Sequence, residues 1–167
     1  KLNHNEDRKP VFYFIHLKNT HGPFYVDAKC NSLKQISYNS SAFEMSKPYI
    51  DSIKCLEKEL TGFLDSIDEN SIVILQSDHG PHYNYARNYE QLTDEEILSR
   101  YRIFSSIKLP KECNQTLSQD YGQINTFLQV FNCLSNESID NKKVKSFYVP
   151  VDPRFNEVVE ITNRFNY

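Results

Sequence analysis

Two apolar runs separated by one long helical pattern constrain this chain more than any other feature. Val11-Phe12-Tyr13-Phe14-Ile15-His16-Leu17 is near-continuously apolar, and so is the core of Ser71-Ile72-Val73-Ile74-Leu75-Gln76. Runs of this kind suit strands covered on both faces, as in a parallel sheet. Between them Ile50, Ile53, Leu56, Leu60, Phe63, Leu64 and Ile67 recur at helical spacing, with Lys54, Glu57, Lys58 and Glu59 on other faces. That is an amphipathic helix. Ser41 with Glu44 fits a capping box at its start. Pro48 either opens a second helical segment at its first turn or kinks one. Asp68-Glu69-Asn70 ends the pattern. The order strand, loop, helix, strand predicts one βαβ unit with a right-handed crossover and parallel strands. Ile53, Leu60, Phe63 and Ile67 are then expected to face the sheet.

The rest of the chain reads as smaller elements. Glu95–Arg100 predicts a short helix, Ile103–Leu109 a strand closed by Pro110, and Tyr121–Leu134 a helix with Ile124, Phe127, Leu128 and Phe131 on one face. Phe147-Tyr148-Val149 and Val158–Ile161 are weaker strand candidates. Residues 1–10 are polar, end in Pro10 and form a flexible start. The expected fold class is α/β, a three-layer sandwich around a mostly parallel sheet.

Composition narrows the function classes. At 167 residues with 19 basic and 22 acidic side chains, the chain is one domain or a large piece of one, with a net charge of −3. A general nucleic-acid binder would be basic, so no nucleic-acid partner is expected. No stretch approaches the ~18 consecutive apolar residues of a membrane helix. Only 4 glycines are present and none form GxGxxG or GxxxxGK[ST], which removes the common phosphate-loop signatures. Cys30, Cys55, Cys113 and Cys133 contain no CxxC pair. They are either buried small hydrophobes or partners in a disulfide, with three pairings open. Sequons at Asn39, Asn114 and Asn136 carry meaning only in a eukaryotic secretory host.

Ligands of open parallel sheets bind beyond the carboxyl ends of the strands. The first run ends at His16 and feeds His21; the second feeds Asp78-His79 and then His82. Four of the five histidines fall at these ends; the fifth, His4, lies in the flexible start. Asp78 and His79 offer one ion an oxygen and an imidazole ligand, a mixed set that suits Zn²⁺ or Mn²⁺. Gly80 lets the backbone approach a ligand closely. The competing account makes Asp78-His79-Gly80 a plain turn and His16 a satisfied strand histidine. His21 sits in a loop with no core to fill. His82 divides between ligand, substrate contact and exposed loop residue.

HLKNTHGPFY, then a long helix, then IVILQSDHGP resembles the alkaline phosphatase/sulfatase superfamily. It is most similar to the bacterial membrane-bound branch that includes phosphoethanolamine transferases and lipoteichoic-acid-synthase-like proteins. RYRIFSSIKLP, INTFLQVFN and SFYVP resemble later segments of a sulfatase-like membrane family, so the likeness covers most of Val11–Val151. The resemblance implies an incomplete alkaline-phosphatase-like domain, with residues 11–167 as its carboxyl-terminal half. It implies Asp78 and His79 as ligands of a divalent metal, with Zn²⁺ or Mn²⁺ first and Ca²⁺ or Mg²⁺ as alternatives. His21 would contact the transferred phosphate or sulfate group or a second metal, as the catalytic and substrate-binding histidine. His16 would support the same group, and His82 would stand in for a later loop histidine of the transferases. The Pro-His-Tyr-Asn-Tyr run after Gly80 departs from the Glu-containing run found there.

The implied activity is metal-dependent hydrolysis or transfer of phosphate or sulfate esters, including phosphoethanolamine or phosphoglycerol transfer to a cell-envelope acceptor. The substrate would be such an ester, lipid-linked in the transferases. The nucleophile would lie in an amino-terminal half that also anchors the protein in a membrane, with the catalytic domain extracytoplasmic and this piece soluble and inactive alone. The rival, from another class, is a non-catalytic α/β binding module with a degenerate site. A self-contained flavodoxin-like domain is disfavoured, because its first loop would cradle phosphate by backbone amides.

Overall fold

The computed structural model describes residues 9–34, 42–80, 89–113, 122–135, 137–150 and 158–165, with the side chains of the first helix described from Lys47 onward. The chain divides into two compact units, Lys1–Asp68 and Glu69–Tyr167.

In the first unit the helix α1 spans Ala42–Leu64 with Pro48 inside it. Pro48 therefore neither ends the helix nor starts a new one; it removes one intrahelical donor. The Ser41–Glu44 capping box lies outside the described side chains. The helix closes on tightened turns, Ser66 N to Phe63 O at 3.0 Å and Ile67 N to Leu64 O at 3.1 Å. Its covered face matches the expected one in part. Leu60 and Ile67 are half-buried and Ser52 and Cys55 buried, whereas Ile53 is 38% and Phe63 43% exposed. The cause is a disulfide between Cys30 and Cys55, which turns that side of the helix toward the preceding loop. Tyr49, on the same side, meets the Phe24 ring edge-on at 6.1 Å.

That loop is a small hairpin. Val26 bridges Ser32, and Leu33 N donates to Tyr25 O at 2.8 Å. The Asp27 carboxylate accepts from the backbone of Lys29 (2.8 Å) and Asn31 (2.9 Å) and from the Asn31 side chain (3.0 Å). These bonds, that of the Asn31 side chain first, hold its carboxyl below the usual range. Cys30 sits in the left-handed region at φ 67°, a conformation that costs a non-glycine residue about 1–2 kcal/mol. The Asp27 bonds on either side and the disulfide hold it there.

Val11–Leu17 overturns an expectation. It forms no strand among the described residues, and Val11 through Ile15 are 60–81% exposed. An apolar sequence supplies the propensity for a strand but not its ladder, and a strand exists only through a partner. The βαβ unit is accordingly not formed among the described residues.

The second unit holds two antiparallel pairs. Strand β1, Val73–Gln76, pairs with β2, Ser105–Lys108, in the register Val73 to Lys108 and Gln76 to Ser105. The neighbour that β1 has among the described residues is thus antiparallel. Strand β3, Phe147–Tyr148, pairs with β4, Val159–Glu160. Between β1 and β2 lies helix α2, Asp94–Tyr101. Thr93 and Glu96 form its capping box, through Thr93 N to Glu96 Oε2 at 2.9 Å and Glu96 N to Thr93 Oγ1 at 3.2 Å. Acidic residues fill its first turn and Arg100 its last, both favourable to the helix dipole. Ile97, Tyr148 and Ile161 form the core of this unit, with Tyr89, Leu92, Tyr101, Val159 and Phe165 packed around them.

Helix α3, Thr126–Ser135, follows a short 3-10 turn at Gln123–Asn125. Ile124, Phe127 and Phe131 lie largely exposed, and the buried positions are Asn125, Thr126, Gln129 and Val130, three of them polar. Asn125, Gln129 and Asn132 recur at helical spacing and fasten the coil that follows. Asn125 donates to Lys142 O (2.9 Å) and accepts from Lys142 N (2.7 Å). Asn132 does the same with Ile139, at 3.0 and 2.8 Å, and Gln129 donates to Asn141 Oδ1 at 2.6 Å. A second disulfide joins Cys113, beyond β2, to Cys133 of α3. The four cysteines thus form two disulfides, each within one unit.

Losing the Cys30–Cys55 crosslink in a Cys30→Ser, Cys55→Ser variant is expected to cost about 2–4 kcal/mol in denaturant unfolding. Ile53→Ala, at a position 38% exposed, is expected to cost less than about 1 kcal/mol; the reverse ranking would show that Ile53 and not Cys55 lies in the covered face. Tyr101 yields a pH dependence. Its hydroxyl donates to Phe147 O at 2.7 Å, and burial raises its pKa above 10.0. A phenol whose folded pKa lies above its unfolded one contributes stability that is whole below about pH 10 and is lost as pH rises through the folded value. Thermal melts of Tyr101→Phe should lack the part of the alkaline decline that the wild type shows there.

Candidate active site

Each sequence-predicted site residue falls within one unit. His16 and His21 belong to the first, Asp78 and His79 to the second, and His82 lies outside the described residues. His16 is exposed on the irregular Val11–Leu17 run. His21 closes a turn, its N–H donating to Lys18 O at 3.0 Å, and its ring Nδ1 lies 2.6 Å from the carbonyl oxygen of Gly22.

The Asp78-His79-Gly80 loop is held from several sides. Ser77 N donates to Phe104 O (2.9 Å) and Phe104 N to Ser77 Oγ (3.0 Å), extending the β1–β2 pairing by one step. Gln123 Nε2 donates to the carbonyls of both Ser77 (2.7 Å) and Asp78 (3.0 Å). Thr126 Oγ1 donates to Gln76 Oε1 at 2.6 Å. Gly80 N donates to Arg100 O at 2.7 Å, and Arg100 Nη1 returns a bond to Gly80 O at 3.1 Å. A Cβ on Gly80 would overlap the carbonyl oxygen of Ser99 and crowd that of Arg102. The close backbone approach expected of Gly80 is therefore made to the last turn of α2.

This scaffold leaves two side chains converging. Asp78 Oδ1 accepts from His79 N at 3.0 Å, and Asp78 Oδ2 lies 3.5 Å from His79 Nε2. Two ligands at about 2.1 Å from a tetrahedral ion are about 3.4 Å apart, so the pair has the spacing that one ion requires. The other ring nitrogen, Nδ1, lies 2.8 Å from Gly80 O and against Arg100 Nη1. Among the described residues no group of three or more His, Cys, Asp or Glu side chains is arranged to hold a metal. Arg100 and Gln123 were not singled out from the sequence. Arg100 opens the RYRIFSSIKLP stretch that carries the resemblance, which is the signal that could have found it.

The Sulfatase family matches the chain over residues 1–135. The chain belongs to the sulfatase family. Membership brings an α/β fold, a hydrolase-type activity on sulfate or phosphate esters and the general use of a divalent metal. Asp78 and His79, an oxygen and a nitrogen donor at ligand spacing, fit such an ion. No curated protein and no solved structure matches the chain.

Gly80→Ala is expected to lower the stability of the second unit by about 1–3 kcal/mol, because backbone, not a flexible side chain, must give way. Gly62→Ala, where a Cβ meets nothing within 4 Å, serves as the control in the same urea titration. Equal effects would show that the Gly80 packing is not as described.

Proposed function

We propose that this chain is the carboxyl-terminal half of a metal-dependent sulfatase-like enzyme that hydrolyses or transfers phosphate or sulfate esters. The carrying observation is the convergence of Asp78 Oδ2 and His79 Nε2, 3.5 Å apart at the end of β1. Asp78 and His79 hold the divalent ion, with Zn²⁺ or Mn²⁺ favoured by the mixed oxygen and nitrogen set and Ca²⁺ or Mg²⁺ as alternatives. When bound, the ion supplies charge stabilisation to the ester's oxygens. A closed zinc site uses four ligands, so further ligands come from elsewhere in the intact protein. The resemblance supports His21 as the residue contacting the transferred group or a second metal, with His16 and His82 beside the substrate. It also supports a nucleophile in an amino-terminal half, and a mostly parallel, three-layer sheet completed there.

The substrate class follows the same reading: a phosphate or sulfate ester, with phosphoethanolamine or phosphoglycerol transfer from a lipid-linked donor to an envelope acceptor as its finer form. Two disulfides support an oxidising, extracytoplasmic location for the domain. No described helix is long and apolar enough to cross a membrane; the proposed anchor belongs to the amino-terminal part.

Asp78→Asn in the intact protein tests the proposal. It should lower metal affinity and abolish turnover of aryl phosphate or sulfate esters while circular dichroism stays unchanged. The 167-residue chain alone should turn over neither ester. Unchanged activity in the variant would leave Asp78-His79-Gly80 as a plain turn. Metal binding without any turnover by the intact protein would leave the non-catalytic binding module instead.

A further inference from the structure

His21-Gly22-Pro23 and His79-Gly80-Pro81 share a tripeptide, and the structure gives the two histidines one local geometry. In each, ring Nδ1 lies against the carbonyl oxygen of the next glycine, at 2.6 Å for His21 and 2.8 Å for His79. A carbonyl can only accept, so an Nδ1 at hydrogen-bond distance from it is protonated, and a neutral ring then carries its lone pair on Nε2. A histidine that ligates a metal through Nε2 is ordinarily held in this way, its other N–H donated to a carbonyl or carboxylate.

The two sites differ in what holds the acceptor. The Gly80 carbonyl receives a second donor, Arg100 Nη1, at 3.1 Å. Its two lone pairs are thereby both used. Gly80 N is bound in turn to Arg100 O at 2.7 Å, so one residue of α2 fixes the glycine through both its N–H and its C=O. Arg100 Nη1 also touches His79 Nδ1, which admits one competing arrangement. If Nδ1 accepted from Arg100, the proton would sit on Nε2, facing Asp78 Oδ2, and the ring could not ligate an ion through Nε2. The 2.8 Å contact to Gly80 O would then set two acceptors against each other; in the Nδ1–H form Arg100 instead directs its N–H to the Gly80 carbonyl at 3.1 Å, and the Nε2 lone pair and Asp78 Oδ2 face each other as two donors to a cation between them would.

We propose that the two His-Gly-Pro segments are tautomer-setting devices that present Nε2 as a lone-pair donor, and that Arg100 is the positioning residue of His79. Arg100 acts through the Gly80 carbonyl and takes no part in ligation. For His79 this rests on the reading of Asp78 and His79 as metal ligands, and it names the residue that prepares that site.

Long-range ¹H–¹⁵N correlation spectra of the full chain, metal-free and above the histidine titration range, report the tautomer of each ring. Both His21 and His79 should show the Nδ1–H pattern. Arg100→Gln should move His79 toward a mixture of tautomers, leave His21 unchanged and weaken Co²⁺ or Zn²⁺ binding about 10–100-fold. Arg100→Lys, which keeps a donor for the Gly80 carbonyl, should restore most of the affinity. An Nε2–H pattern for His79 in the wild type would overturn the proposal without any variant being made. So would an Arg100→Gln protein with unchanged tautomer and affinity. If Asp78→Asn and His79→Gln weaken metal binding while Arg100→Gln does not, the positioning role fails and the metal reading stands. If none of the three weakens it, the metal reading fails, and the tautomer spectra still decide the rest.

Discussion

The second unit depends on the grip of one helical turn on one glycine. Gly80 N donates to Arg100 O and Arg100 returns a bond to Gly80 O, while the Ser99 carbonyl fills the space where any side chain would stand. This contact ties the end of β1 to the end of α2. With the Gln123 bonds to Ser77 and Asp78, it leaves the loop's backbone little freedom. Only then do two adjacent residues, which on a regular strand would point to opposite faces, bring an oxygen and a nitrogen within 3.5 Å. The convergence is a property of the loop's supports more than of Asp78 and His79 themselves.

The local elements were legible because their signals are local. The periodic run 50–67 gave a helix, Ile72–Gln76 contains β1, and Glu95–Arg100 lies inside α2 with its boundaries missed by one residue. Gly80 after Asp78-His79 was read as room for a ligand, whereas the space beside it is taken by the backbone of a helix end. Pairing was not legible. The seven residues from Val11 satisfy every compositional criterion for a buried strand and form none here, since a ladder is decided by what lies alongside. The burial of Ser52 and Cys55 on α1 was hidden for a related reason. Hydrophobic periodicity placed Ile53 and Phe63 inward, but a covalent bond at Cys55 decides which side is covered, and four cysteines allow three pairings.

For the candidate site, residue chemistry singled out Asp78 and His79, whose side chains do converge, and the family match over residues 1–135 carries the class of chemistry. Arg100 and Gln123 escaped because each works through backbone carbonyls of residues twenty or more positions away. A side chain that serves another segment's main chain leaves no periodic pattern in its own neighbourhood, and for Arg100 the RYRIFSSIKLP likeness was the one local signal.

The amide stripe on α3 bears on how this chain can change. Asn125 and Asn132 each match both the N–H and the C=O of one residue in the coil, Lys142 and Ile139. Apolar packing tolerates sliding; these pairs admit a single alignment. Length variation is therefore confined. Between Ile139 and Lys142 one added residue would put the two locks out of step. The stretch has no helix or strand of its own, yet it should drift in composition while keeping its count.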